Sequence, residues 1–476
     1  MGTTCKTNTA SNTAFRAYGA PPGMLTTENM IYDACVELGL DHMKFRRDNF
    51  QSVGYETHYG AVMDETHLSF AKCMDEVESR CDYQNLKKKV EEFNVKNKWK
   101  KRGVYVLPYK YGIATPQMFA QQGAHINVYA DGSVLINHGG VESGQGLHTK
   151  MIQLVSREFE IPMSKIKVSD TNNYHVPNPI PTGGSTGADL AGNALRDACQ
   201  QIKARLAPIK EANPEAPWEL VVYMAFGSRI NLSAAGHFAV GLDKGLGYGA
   251  GGGDKKGRRW WYFVLGAACT LVEVDILKGE HTVLSSDLTM DIGRAINPGI
   301  DTANIQAAWI QGYGLVAMEN TVYSKEGKLM SRGADEYFLP TIKDCPKVLN
   351  INLLESEGRE SVLYSSKGLG EPPLLNGMSV YFAIKVKALP ISNQATSKNY
   401  DNETYGIKEA VRAARSDAGL TGKFKLKLPT TPGQCLSQSL SASTLVIKII
   451  EAHCIYCISL ENVLEACNNS PVSPSS

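Results

Sequence analysis

The sequence predicts an α+β (mixed α/β) fold on three grounds. Apolar residues recur first at helical spacing and then at strand spacing, in alternation along the chain. Neighbouring strand candidates are joined by short turns more often than by regular crossover helices. The 476 residues are 43% hydrophobic and 20% charged, an ordinary globular balance with ample length for a core.

Residues 1–30 are small and polar, and Gly19, Pro21, Pro22 and Gly23 predict a turn ahead of the first helix. That helix is expected over 27–40, with Ile31, Ala34, Cys35 and Leu38 on one face, and a second over 81–93 through Leu86, Val90 and Phe93. The basic run KNKWKKRG (96–103) reads as a solvated helix end followed by a strand rather than a nucleic-acid patch. Strands follow at 104–107, 124–129 and 134–138, the last two joined by the turn Ala130-Asp131-Gly132-Ser133. The pattern then gives a helix at 145–159, a strand at 165–168, a long helix at 190–206 and strands at 260–274 and 282–291. Helices at 305–318 and 379–385 complete it. The segment GLGYGAGGGDKKG (245–257) has neither a clear strand before it nor a helix after it, so it reads as a surface loop rather than a dinucleotide site.

Two segments look foreign to their surroundings. Residues 386–407 are polar and interrupt a helical pattern that resumes through Ala410, Val411 and Ala414 when Lys385 is joined to Lys408 or Glu409. From about Gln434 the chain is Ser-rich, and Lys448, Glu451 and His453 break its one apolar run, so it does not span a membrane.

Charge and cysteines exclude several classes. Lys plus Arg total 49 against 48 Asp plus Glu, a net charge of +1 that argues against nucleic acid as a partner. The opening MGTTCKTNTASN lacks an apolar signal core, and Lys6 fails the myristoylation pattern. The 11 cysteines are scattered, with Cys454 and Cys457 forming the single Cys-x-x-Cys, so no thiolate-held metal centre is expected. Scattered cysteines point to a reducing compartment: the cytoplasm, with the peroxisome as the alternative.

Three glycine-rich loops put polar side chains beside bare backbone: Gly139 to Gly146, Pro181 to Gly187, and Lys367 to Pro373. At a helix entrance such glycines let N–H groups approach a phosphate or another anion. Glu371 stands out because Gly370 precedes it and Pro372 drives it from helical geometry, which suits a general base; an ordinary loop glutamate is the alternative. Gly183-Gly184-Ser185-Thr186-Gly187 also matches the Gly-x-Ser-x-Gly elbow of serine hydrolases. That elbow needs a strand running into it, and Pro177, Pro179 and Pro181 preclude one.

Taken in order, these loops resemble the molybdenum-binding C-terminal region of the xanthine dehydrogenase / aldehyde oxidase family. The resemblance rests on TNTASNTAFRAYGAPPGM (7–24), HGGVESGQGLHTKM (138–151), VPNPIPTGGSTGADLAGNA (176–194), AINPGIDTANIQAAWIQGYGL (295–315) and SSKGLGEPPLL (365–375). It covers nearly all of 3–385 and resumes over 408–432. It implies a molybdenum-cofactor-binding fold, truncated at its N-terminal side: 1–100 would end a first subdomain, 101–432 would form a second, and 433–476 would be a non-family tail.

The resemblance implies molybdenum–molybdopterin as cofactor, with the metal held by the pterin's sulfurs and the protein supplying surrounding contacts. It implies Glu371 as the base that deprotonates the hydroxide of the molybdenum centre, whose oxygen attacks an electrophilic substrate carbon. Arg16, Ser143, Gly144, Gln145, Gly184, Ser185, Thr186, Gly187, Gln311 and Leu369 would lie at the cofactor, and Tyr18 and Thr115 at the substrate. The substrate is a purine or other N-heterocycle, or an aldehyde; Pro372 and Pro373 resemble xanthine dehydrogenases. Departures bear on the same question. Tyr18 stands where those enzymes place a phenylalanine, 112–116 is one residue short and lacks the second aromatic, and Gly183 and Gly184 replace two alanines.

The family's 2Fe-2S clusters and FAD belong to domains expected ahead of this region, so the chain reads as a truncated or misassembled product, with 386–407 as retained intron. A homodimer acting on a small molecule is expected, with no nucleic acid or membrane. The alternatives are an aldehyde-oxidase-like enzyme or an inactive remnant that only folds or dimerises.

Overall fold

The computed structural model describes residues 15–385 apart from 58–61, 64–68, 116–118, 173, 241–259, 276–277, 355 and 357–362. The glycine-rich segment 245–257, the segment 386–407 and the tail lie outside the described residues.

Two four-stranded mixed sheets organise the chain. The first has the order β1 (Lys100–Ile113), β6 (Tyr262–Asp275), β7 (Glu280–Asp291), β8 (Val348–Leu354), antiparallel except for β7 with β8. Alternation sorts β1 and β6 between two cores. Tyr105, Leu107, Tyr109, Tyr111 and Ile113 of β1, with Tyr262, Val264 and Ala268 of β6, pack against helices on one face. Those helices are α1 (Ala20–Leu38), α8 (Pro298–Ala317), α9 (Leu374–Gly377) and α10 (Ser379–Lys385). Val104, Val106, Phe263 and Leu265 face the other way, onto α3 (Phe70–Arg80) and α4 (Tyr83–Lys96). The short α2 (His42–Asp48) sends Arg46 inward, where it pairs with buried Glu28 of α1 and donates to the Tyr105 hydroxyl at 2.5 Å.

The second sheet has the order β4 (Ile166–Val168), β3 (Val134–His138), β2 (Gln121–Val128), β5 (Ser233–Ala239). Its buried face (Ala124, Ile126, Val134, Ile136) packs on α5 (Leu147–Phe159) and α6 (Gly187–Ala212), with α7 (Trp218–Gly227) against α6. A buried ion pair ties the two units together: Lys150 of α5 meets Asp301 of α8 at 2.5 Å.

The expected elements are present, with shifted ends where a local rule was misapplied. The first helix begins at Ala20, because Pro21 and Pro22 occupy its first turn, where a missing N–H costs nothing; they make no turn ahead of it. β1 runs from Lys100 to Ile113 straight through Pro108, which an edge strand tolerates. It takes up part of the basic run, since Lys100 and Arg102 reach across to Glu273 on β6. α6 extends in both directions, from Gly187 to Ala212. The sequence pattern does not give α2, α3, α7, α9, β5 and β8: α7 is apolar on most sides and so has no period to read.

One contact makes a stability prediction. β5 passes so close under α6 that a Cβ on Gly236 would overlap the carbonyl oxygen of Ala194 and crowd the backbone of Ala198. Backbone cannot rotate away, so Gly236→Ala is expected to cost about 3 kcal/mol, the upper end for overpacking. Denaturant unfolding measures this, and a loss below about 1 kcal/mol would show that helix and strand have slack here.

Candidate active site

The site lies at one end of the first sheet, where it meets the entrance to α6. Tyr111 near the end of β1 and Tyr262 at the start of β6 point to the same face, because Tyr111 pairs with Val264 and Ile113 with Tyr262. Two hydroxyls therefore face the loop 367–373. The Tyr111 hydroxyl donates to Glu371 Oε2 at 2.8 Å. The Tyr262 hydroxyl accepts the Gly368 N–H at 2.9 Å and donates to Asp189 Oδ2 of α6 at 2.5 Å. The loop is pinned to β7 as well, with Lys367 pairing to buried Asp291 at 2.9 Å.

The second loop closes over the first. Ser185 takes a left-handed φ of 61° and its Oγ donates to Glu371 Oε2 at 3.2 Å. A Cβ on Gly368 would overlap the Ser185 carbonyl oxygen, so this approach requires glycine there. No strand leads into Gly183–Gly187 among the described residues, so the serine-elbow reading fails in the structure too. A strained turn supplies the third side: Ala17 and Tyr18 have φ of 68° and 47°, and the Ala17 N–H donates to Glu371.

Glu371 is 7% exposed. Burial raises its carboxyl above the usual range, opposed by the hydroxyls of Tyr111 and Ser185, the Ala17 N–H and the charge of Arg16. Burial lowers Arg16 while the Glu371 charge raises it, and burial and that same charge raise Tyr18. The Tyr18 ring stays open to solvent, its hydroxyl 3.4 Å from where a Cβ on Gly183 would stand. Thr115 is buried just beyond β1, and its neighbour Ala114 places a carbonyl oxygen 3.5 Å from the Cβ position of Gly184.

The first glycine loop adjoins the second through the Val141 N–H, which donates to Thr182 Oγ1 at 2.9 Å. Its helix entrance is not a vacant anion site. Glu142 already accepts N–H bonds from Gly144, Gly146 and His148 at 2.8, 2.9 and 2.9 Å, so those donors are not left for a phosphate. The Gln145 side chain folds onto its own loop, accepting from the Ser143 N–H and donating to the Val141 carbonyl. Asn304 of α8 holds the Gln145 carbonyl at 3.0 Å.

The structure thus brings Arg16, Tyr18, Thr115, Gly184, Ser185 and Glu371 together, with Ser143, Gly144 and Gln145 on the adjoining loop. Thr186 and Gly187 form the start of α6, with Thr186 Oγ1 turned back to the Gly183 carbonyl. Leu369 packs into the first core, and Gln311 stands exposed on α8. Tyr111, Tyr262 and Asp189 were missed: extending the odd-numbered alternation of β1 past Pro108 would have found Tyr111.

Residues 76–346 and 1–50 match the molybdopterin cofactor-binding domain. Xanthine dehydrogenase of Drosophila subobscura is 42% identical over 95% of this chain and 32% of its own length. Aldehyde oxidase 1 of Oryctolagus cuniculus is 41% identical over 90% and 30%. Among solved structures, quinoline 2-oxidoreductase from Pseudomonas putida 86 superposes with a TM-score of 0.65 at 20% identity, covering 78% of this chain and 49% of that one. Aldehyde oxidoreductase from Desulfovibrio gigas gives 0.65 at 23%, covering 78% and 39%. The chain belongs to the molybdopterin cofactor-binding domain family, of the xanthine dehydrogenase / aldehyde oxidase type. It spans about a third of the length of the curated relatives it matches.

The residues present fit that cofactor. A metal that arrives in its own organic ligand asks of the protein bare backbone, polar contacts and a base. Nothing lies within 4 Å of a Cβ position on Gly144, and Gly183 and Gly184 meet only ordinary contacts, so open space for a ligand lies at these three glycines, with the Gly144 N–H itself taken by Glu142. Among the described residues no group of three or more His, Cys, Asp or Glu could hold a metal ion.

Asp189 yields a pH prediction. Burial pushes its carboxyl up to about 7, against the Tyr262 hydroxyl and the Lys150 charge. Between the unfolded value of about 3.9 and about 7, the folded chain holds a proton that the unfolded chain has lost. This contribution to stability therefore falls as pH rises through that window. Asp189→Asn should flatten the fall, measured as unfolding free energy between about pH 4 and 8; equal slopes in both proteins would refute it.

Proposed function

We propose that this chain forms the substrate-oxidising region of a molybdenum hydroxylase of xanthine dehydrogenase type, acting on a flat N-heterocycle such as a purine. One observation carries the reading: the buried carboxylate of Glu371, held by the hydroxyls of Tyr111 and Ser185 and enclosed between the 181–187 loop and the turn at Ala17 and Tyr18, with Gly183 and Gly184 on the side left open. When bound, molybdenum–molybdopterin supplies the two-electron redox chemistry and the oxygen that ends on the substrate. Arg16, Ser143, Gly144, Gln145, the Gly184–Gly187 loop and Gln311 would hold it, with Leu369 packed behind.

Glu371 then accepts the proton released as that oxygen bonds to substrate carbon. A carboxyl raised by burial is a stronger base than one in water, which is what this step requires. The open ring of Tyr18 gives a planar substrate an aromatic face beside Gly183, and Thr115 sits at the same edge. Identity does not separate the two substrate classes, since the xanthine dehydrogenase/oxidase of Gallus gallus and the aldehyde oxidase are both 41% identical to this chain. The choice of a purine rests on the open face of Tyr18 and on Pro372 and Pro373. Pairing of two copies, and a cytoplasmic location, belong to this reading. No helix among the described residues is long and apolar enough to cross a membrane.

The 476-residue chain produced with a molybdopterin supply should contain close to one molybdenum per chain by elemental analysis. With a dye as electron acceptor it should hydroxylate hypoxanthine faster than benzaldehyde; the reverse order selects the aldehyde reading. Glu371→Gln should keep the metal and lose about 100-fold or more in turnover. Retained turnover removes Glu371 as the base, and absence of molybdenum rejects the cofactor assignment for this chain.

A further inference from the structure

We propose that Tyr111 is a positioning residue for Glu371: its hydroxyl keeps the buried carboxylate charged and steers an incoming proton to Oε1. This deepens the reading of Glu371 as base and rests on it.

The geometry is specific. Tyr111 stands on β1, its ring in the first core and 7% exposed, so the hydroxyl is delivered from a packed sheet and not from a loop. It donates to Oε2 at 2.8 Å, and Ser185 Oγ donates to the same oxygen at 3.2 Å. A carboxylate oxygen offers about two lone-pair directions, and the two hydroxyls use both on Oε2. A proton taken up at Oε2 would strip one hydroxyl of its acceptor in a buried setting, a costly outcome. Uptake at Oε1 leaves both bonds standing.

The same geometry sets the charge. Among the described residues, the titratable and charged groups facing Glu371 are Arg16 and Tyr18 from the turn before α1 and Tyr111 from β1. Asp189 reaches only the neighbouring Gly368, through the Tyr262 hydroxyl. Of the influences opposing burial at Glu371, the Tyr111 hydroxyl is the largest, ahead of Ser185, the Ala17 N–H and Arg16. Hydrogen bonds to an ionised acceptor are the strong ones. Removing the phenol oxygen while keeping the ring should therefore make Glu371 hold its proton to higher pH.

Infrared spectroscopy of the purified 476-residue chain, glutamate-labelled with carbon-13 and without cofactor, reads this directly. The carboxylic acid band lost in Glu371→Gln is that of Glu371. Its titration midpoint should rise by about one pH unit in Tyr111→Phe and by less in Ser185→Ala. Replacing Tyr111 by 3-fluorotyrosine, a more acidic and stronger donor of nearly the same shape, should move it down, which keeps the question open to measurement if Tyr111→Phe does not fold. In the cofactor-loaded protein the acidic limb of kcat/KM should move up in Tyr111→Phe by the same amount as the infrared midpoint. An unmoved midpoint in both variants overturns the role of Tyr111, whatever Glu371→Gln does to turnover. A shifted midpoint alongside full turnover in Glu371→Gln supports Tyr111's hold on the carboxylate and rejects the base reading instead.

Discussion

Two tyrosine hydroxyls at one end of the first sheet bear on nearly everything else in the site. Tyr111 and Tyr262 lie two rungs apart on one face of a single antiparallel pair, so their spacing is set by the sheet and not by loop packing. One holds the side chain of Glu371, and the other holds the backbone of the same loop at Gly368. A loop fixed at both a side chain and a backbone N–H has little freedom to turn its carboxylate away. The Lys367–Asp291 ion pair at the end of β7 removes what freedom is left at the loop's start.

The second constraint is the interlock of two chains of glycine. Gly368 admits the Ser185 carbonyl, and the left-handed turn at Ser185 brings its hydroxyl to Glu371. These loops come from different units, since α6 packs on the second sheet while Glu371 hangs from the first. The seam is held elsewhere by buried pairs: Lys150 with Asp301, and Asp189 with Tyr262. Removing one partner of such a buried pair leaves an unpaired charge or donor, which costs more than the pair contributes when intact. The geometry around Glu371 thus depends on contacts that do not themselves touch its carboxyl.

How much of this the sequence disclosed follows from the range of each rule. Period and turn chemistry are local, and they placed most helices and strands, including β3 with its own ends. They failed where a local signal had a tertiary excuse: the strand expected over 104–107 continues through Pro108 because β1 is an edge, and Pro21 and Pro22, expected as a turn ahead of the helix, form part of its first turn. Glu371 was legible because its glycine and proline neighbours are local. Tyr111 and Ser185 lie 260 and 186 residues from it in the chain, and no spacing rule spans that distance. The anion-binding reading of the first loop erred differently: the helix entrance is as expected, but the sequence does not say that Glu142 will serve it.

If Glu371 is the base, as proposed, the balance at its carboxyl explains why so many donors surround a group that accepts a proton. Burial alone would drive a carboxyl toward the neutral acid, and a neutral acid is no base. Donors alone would leave it ionised but too weak to take a proton from an oxygen. Here burial is the largest influence and the donors oppose it without reversing it, so the carboxyl is raised while two hydroxyls and an N–H still favour its charged form. Tyrosine and serine suit that purpose better than lysine would: a hydroxyl shifts the equilibrium modestly and adds no charge, whereas a second cation beside Arg16 would pull the carboxyl well down. On the proposed reading, the residues around Glu371 therefore tune a base, and the same residues would be poorly chosen merely to bury an ion pair.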